Sequence, residues 1–329
     1  MSSRRILVCL TLGLLFALAA EARTANINGT TYISLDIIAA RLGMEARETE
    51  RDEVAELRSQ WTQMKFKRNR KAFMLNGHTV HLAWPVALSR GQLFISEIDY
   101  EKNLQPLLTP QVFAEQTPRL YRIVIDPGHG GKDPGAENQR IGTNEKTLAL
   151  AVAHRLKAEL ERYGYQVLLT REDDHFLELN KRPAFANQVE ADLFISLHFN
   201  AETSRTVRGI ETFIFTPLNA PSTARNSLHW TDKKTYPGND NDVWSTMAGF
   251  YMQRALTRHT GEPDRGLKRA RFAVLRDAAV PAMLVELGFI STDSTARAAQ
   301  SAAQQQQWVK AMVAGILDYQ KTLDRLRGR

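Results

Sequence analysis

The sequence predicts an α/β protein with a mostly parallel central sheet flanked by helices, preceded by a small β-rich α+β domain. Three observations predict it. Beyond residue 120, short apolar runs alternate with amphipathic helical patterns, as in sheets built from β-then-α connections. Between residues 26 and 108 the runs are shorter and alternate in polarity, and Asn76-Gly77 and Arg90-Gly91 separate them as hairpin signals. Residues 109–119, with Pro110 and Pro118, read as a linker between the two textures.

At the start, Arg4-Arg5 precedes an apolar stretch from Ile6 to Ala20, and Ala20-Glu21-Ala22 offers a small-x-small cleavage site. That is the pattern of a secretory signal peptide over residues 1–22, too short for a membrane span of about 20 residues. Cys9, the only cysteine, lies inside it. The mature chain is therefore expected to be exported, to a periplasm or the outside of the cell, with no lasting membrane anchor. It holds no disulfide and no thiolate, so any metal must be held by His, Asp or Glu. The net charge of +7 falls to +6 without the leader. Such a basic exported protein suits an anionic polymer, and charge alone suits a solvated surface with no polymer partner equally well. Nucleic acid is disfavoured by export and by the lack of an interleaved basic and aromatic stripe.

In the first domain, Thr31 to Leu35, Lys71 to Leu75 and Leu93 to Ile95 read as strands, and a helix is expected from Ser34 to Leu42, stopped by Gly43. In residues 120–326 the expected strands are Arg122 to Ile125, Gln166 to Thr170, Leu193 to Leu197, Ile210 to Phe215, Ala273 to Leu275 and Ala282 to Val285. A helix from Asn144 to Tyr163 carries Leu148, Val152, Leu156 and Leu160 on one face. Further helices are expected over Lys181 to Gln188, Val243 to Thr260 and Ala298 to Leu326.

Four short segments carry the chemistry: Asp126-Pro127-Gly128-His129-Gly130-Gly131, Asn144-Glu145-Lys146, Ser196-Leu197-His198-Phe199-Asn200-Ala201 and Val285-Glu286-Leu287-Gly288-Phe289. Functional groups of open α/β sheets gather beyond the carboxyl ends of the strands. His129, His198 and Glu286 each sit at the end of an expected strand, and Glu145 opens a helix from which it can face the same rim. Two imidazoles and a carboxylate make a three-ligand set that leaves a catalytic zinc one open position. Glu286 then remains to handle the protons of water. A phosphate-cradling reading of the Gly-rich turn fails, because Asp126 stands where a P-loop needs Gly and Asp133 follows Lys132 in place of Ser or Thr. Singly, each motif has a plainer reading: a hydrogen-bonded histidine, a helix N-terminal charge at Glu145, or a Glu286 paired with Arg276. His78, His81, His154, His175, His229 and His259 need no role beyond structure or solvation.

Jointly, the four segments and their order resemble the zinc-dependent N-acetylmuramoyl-L-alanine amidases (amidase type 3) over about Arg122 to Gln320. Leu169-Thr170-Arg171, Arg182 to Asn187, Gly209 to Phe213, Arg265 to Ala270 and Phe272 to Arg276 add to the likeness. The resemblance implies His129, Glu145 and His198 as zinc ligands and Glu286 as the catalytic glutamate. It implies peptidoglycan as the partner and hydrolysis of the amide joining N-acetylmuramic acid to L-alanine. An activating protein partner is left unknown. Some relatives carry a self-inhibitory helix where this chain has residues 217–242, but Pro217, Pro221, Pro237 and Gly238 oppose a long helix there. Residues 26–108 resemble the copper amine oxidase N-terminal-like domain through Tyr32 to Leu35, Ala39 to Gly43, Ala72 to Gly77 and Gly91 to Ser96. An accessory role is expected for it, with no copper site at His78 and His81. Two other functions compete: a non-catalytic peptidoglycan-binding protein, and a zinc peptidase acting on stem peptides.

Overall fold

The computed structural model describes residues 24–328; the expected leader, with Cys9, lies outside them. No helix among the described residues is long and apolar enough to cross a membrane. The described residues form two compact units, one of residues 24–77 with 82–101, the other of 78–81 with 102–328.

The first unit is antiparallel. Strands β1 (Thr24–Ile27), β2 (Thr30–Ser34), β9 (Gln92–Ser96) and β8 (Ala87–Ser89) form one sheet in the order β1-β2-β9-β8. Strands β3 (Glu45–Glu50), β4 (Val54–Arg58), β5 (Gln63–Lys67) and β6 (Ala72–Leu75) pair in sequence. Arg90 and Gly91 both take positive φ, 51° and 73°, which the two-residue turn between β8 and β9 requires. Helix α1 (Leu35–Leu42) is capped by Ser34, whose Oγ accepts from the Ile37 N–H, and ends at Gly43 in the left-handed region. Phe66 and Phe73 stack at 5.0 Å in its core.

The second unit is built on the sheet order β13-β10-β14-β17-β15-β16-β7. Its strands are β7 (His78–His81), β10 (Arg122–Pro127), β13 (Gln166–Leu169), β14 (Leu193–Asn200), β15 (Ile210–Phe215), β16 (Asp264–Ala270) and β17 (Ala282–Phe289). β13, β10, β14 and β17 run parallel, and β15, β16 and β7 are parallel among themselves, but β15 runs against β17. The sheet is mixed, and the expectation of a mostly parallel one is corrected. The reason is the connection. Residues 201–209 join β14 to β15 without a helix, and a parallel return needs a crossover of a dozen residues or more.

Helix α7 (Ala302–Leu326) packs against both α2 (Glu145–Arg162) and α4 (Asp242–Thr260). The α2 stripe of Leu148, Val152, Leu156 and Leu160 is wholly buried. Helix α3 (Lys181–Gln188) and the one-turn α5 (Ala273–Arg276) cover another core, where Ala186, Val274 and Leu275 meet Val124, Phe194, Phe215 and Leu284. Two expected elements differ. Ala273 to Leu275 is helical, because the N–H groups of Leu275 and Arg276 turn back to Phe272 O instead of finding a ladder. A three-residue apolar run signals burial without specifying a strand. The expected long C-terminal helix is two: α6 (Asp293–Gln300) ends at Ser301, which is extended and caps α7 through Oγ. Residues 217–242 hold two short 3-10 turns, Trp230–Lys233 and Pro237–Asn241, before α4 begins.

Candidate active site

β10 delivers its chain into the Gly128–Gly131 turn, and β14 and β17 run beside it. His198 and Glu286 are register partners on these last two strands. They therefore lie within the ladder, one residue beyond the sequence-based strand ends, and the strands run on to Asn200 and Phe289.

Two buried arginines fasten the turn. Arg171 donates to Pro127 O and Gly128 O, at 2.9 and 2.8 Å. Arg182 donates to His129 O and to buried Asp126, which also accepts from Thr170 and Ser196. Lys146 Nζ holds Gly131 O at 2.8 Å. So fixed, His129 keeps a φ of 61°, a left-handed conformation unfavourable for a residue with a side chain. Gly128 has no alternative: a Cβ there would lie 2.4 Å from the His198 ring. One at Gly135 would lie 2.6 Å from both Glu145 Oε2 and the His129 ring.

Glu145, the first residue of α2, is 4% exposed. Its Oε1 accepts from His198 Nδ1 (2.8 Å) and Phe199 N (2.9 Å). Its Oε2 accepts from Ala136 N (2.8 Å) and lies 3.1 Å from His129 Nε2. On the far side of that imidazole, His129 Nδ1 meets Asp133 Oδ2 at 2.8 Å, and Asp133 is steadied by Gly135 N. Burial would raise the Glu145 carboxyl, but the two imidazoles outweigh it and hold the group well below the usual carboxylate range. Burial alone would lower His129; Glu145 and Asp133 reverse this and raise it. One donor atom from each of His129, Glu145 and His198 lies within 4.8 Å of the other two.

Glu286 is left out of these bonds. Its Oε2 is shut from solvent and has no hydrogen-bond partner. Burial pushes its carboxyl well above the usual range, the charges of Glu145 and Glu211 push the same way, and only Lys268 opposes. Glu211, its cross-strand partner on β15, is itself bound by Arg265 (2.5 Å) and Lys268 (3.0 Å). Arg276 does not pair with Glu286; it is spent on Asp277. All four sequence-predicted residues line one cavity of 330 Å³, walled otherwise by apolar groups such as Leu179, Phe199, Phe272 and Val274.

Sequence reasoning gave no role to Asp133, Arg171 or Arg182. The signals were faint: Asp133 follows His129 by four residues, and the arginines appear only as part of the resemblance. The other histidines are engaged elsewhere or stand apart. His154 and His81 bond carbonyls of Glu172 and Arg265, and His175 meets Asp173. Among the described residues, neither His78 nor His81 belongs to a group of three such donors.

Comparisons with known proteins agree with one another. A family model described as N-acetylmuramoyl-L-alanine amidase matches residues 123–318. AmiC amidases of Neisseria meningitidis and Escherichia coli are 32% and 34% identical over 69% and 67% of this chain. The chain spans about three fifths of their length, 59% and 58%. Among solved structures, the catalytic domain of the amidase CwlV from Bacillus (Paenibacillus) polymyxa is similar with a TM-score of 0.52 and 28% identity, over 61% of this chain and 99% of that one. The CwlD amidase from Clostridioides difficile, solved with the GerS lipoprotein, is similar with a TM-score of 0.52 and 26% identity, again over 61% and 99%. Since the family model covers more than half of the chain, it belongs to the N-acetylmuramoyl-L-alanine amidase family of enzymes.

Proposed function

We propose that the chain hydrolyses the amide between N-acetylmuramic acid and L-alanine in bacterial peptidoglycan, with zinc held by His129, Glu145 and His198 and with Glu286 carrying the proton. The observation that carries this reading is the pairing of a saturated donor cluster with one unpartnered carboxyl in the same cavity. The cluster fits the ion. Two imidazoles and a carboxylate are a catalytic zinc set, and the His129–Asp133 contact is the outer hydrogen bond that such imidazoles make. When bound, zinc supplies Lewis-acid polarisation of the scissile carbonyl and a more acidic water.

The rest falls to the chain. Glu286 lines the cavity and its carboxyl is left without a partner at Oε2, so the carboxyl can take a proton from the attacking water. As the new C–O bond forms and the C–N bond breaks, the same carboxyl hands that proton to the departing amine of L-alanine. An elevated proton affinity suits the second half of this shuttle.

In this reading the protein is exported and acts on the cell wall, and residues 26–108 serve as a copper amine oxidase N-terminal-like accessory module. The GerS complex of CwlD supports a search for a protein partner here as well. The test is digestion of purified peptidoglycan with and without a chelator and zinc add-back, followed by mass analysis. Whole stem peptides with N-terminal L-alanine, lost with chelator and restored by zinc, are expected. Cleavage within stem peptides would instead establish the peptidase, and wall binding without any product would establish the non-catalytic protein.

A further inference from the structure

A second cavity of 500 Å³ adjoins the reaction pocket, and Ala201 lines both. It is built by the continuations of the same segments that carry the site. The hairpin of β11 (Glu137–Asn138) and β12 (Thr143–Asn144) leads into Glu145, the loop from Ala201 follows His198, and Ser291 follows the Glu286 strand. Its walls are tied together. Buried Asn138 donates to Ile290 O (2.8 Å) and Asp293 Oδ1 (3.1 Å), and Glu202 N donates to Ser291 Oγ (3.0 Å).

This cavity is polar where the reaction pocket is apolar. It presents Arg140 and Arg205 together with Glu137 and Glu202. Asp293 engages Arg140 through one nitrogen at 2.8 Å and reaches Arg205 only at 3.9 Å. Among the described residues, Glu137 and Glu202 make no ion pair. The result is a container of matched charge whose guanidiniums keep donors, and whose carboxylates keep acceptors, for something else. A neutral sugar would leave those charges unanswered. A group bearing both carboxylate and ammonium would answer them together.

We infer that this cavity binds the peptide side of the substrate through a residue carrying both an ionised carboxylate and an ammonium group. The inference rests on the amidase reading only for the identity of the substrate. A diamino diacid in a stem peptide has that chemistry, and Ala201 joins its cavity to the one in which the amide is cut. The cavity then sets specificity for the stem, while the chemistry stays with Glu286 and its neighbours.

The test is titration calorimetry of the full chain with three free peptides: L-Ala-D-Glu, L-Ala-D-Glu-diaminopimelate and L-Ala-D-Glu-Lys, the last keeping the ammonium but not the side-chain carboxylate. The diaminopimelate peptide should bind at least tenfold more tightly than either of the others. Arg205→Ala should remove most of that preference and Arg205→Lys should restore part of it. Both arginines are more than half exposed, so these changes leave the fold intact. Equal affinity for all three peptides, or a preference untouched by both Arg205→Ala and Arg140→Ala, overturns the inference. The amidase reading fails separately, if muramyl peptides are never cut while the binding preference persists.

Discussion

Glu145 and Glu286 line one cavity and carry the same carboxyl, yet their surroundings treat them in opposite ways. Glu145 is met by two backbone N–H groups and two imidazoles, which hold it ionised and fixed. Glu286 Oε2 is buried with nothing to bond, next to the acids Glu145 and Glu211. A buried carboxyl without partners is costly, and folded proteins seldom keep one without use. The difference separates two jobs. A group whose bonds are all made can hold position; a group whose bonds are withheld can exchange a proton.

The largest effect expected from that division is on Glu286 itself. Glu286→Gln keeps the shape and removes the proposed proton carrier, so turnover should fall by roughly a thousandfold or more, within the range for losing a general acid–base. Zinc content and melting temperature should stay near those of the parent. Turnover within tenfold of the parent would break the comparison, because the orphaned carboxyl would then be idle.

Asp232 is the satisfied acid away from this cavity, and it tests the other half. It is wholly buried and bonded to Arg225, Arg271 and the His229 N–H. Asp232→Asn should cost about 3 kcal/mol of stability, as breaking a buried pair does, while the parent and the variant cut substrate alike. The pH dependence has a definite sign. Burial would raise the Asp232 carboxyl, but its three donors outweigh that and lower it from the ordinary 3.8. Its contribution is therefore complete above pH 3.8 and is lost as pH falls through the lower folded value. Urea titrations should show a constant gap between parent and variant from pH 7 to about 5, closing below 3.8. A gap that instead widened on acidification would contradict the assignment.

The sequence disclosed the parts that local chemistry dictates. The i, i+4 stripe of α2 and the Gly43 stop depend on near neighbours and are where pattern placed them, and the four motif residues line one cavity. The reversal of β15, the helical turn at Ala273 and the break at Ser301 depend on what the segment meets in three dimensions. The shell around the site was the least legible. Arg171 and Arg182 act on carbonyls more than 40 residues away in sequence, and nothing local marks a guanidinium as aimed at a backbone turn. The polar cavity is assembled from three distant loops and leaves no motif at all.

Asp133 lies between these extremes, and it gives the smallest effect with the sharpest meaning. Its carboxylate bonds the Nδ1 of His129 and so keeps Nε2 turned toward Glu145. It is partly exposed and lies on the rim, so Asp133→Asn should leave the melting temperature of the metal-free protein nearly unchanged. An amide in its place still reaches Nδ1 but no longer supplies negative charge. Zinc affinity, measured by competition with a chromogenic chelator, should weaken about 10–100-fold if His129 is a ligand as proposed, as for outer partners of histidine ligands elsewhere. Because only the ligand wall is touched, saturating zinc should restore most of the turnover, which no zinc concentration can do for Glu286→Gln. If excess zinc fails to rescue Asp133→Asn, the acid serves the proton transfer as well, and the two jobs are not divided between the two sides of the pocket.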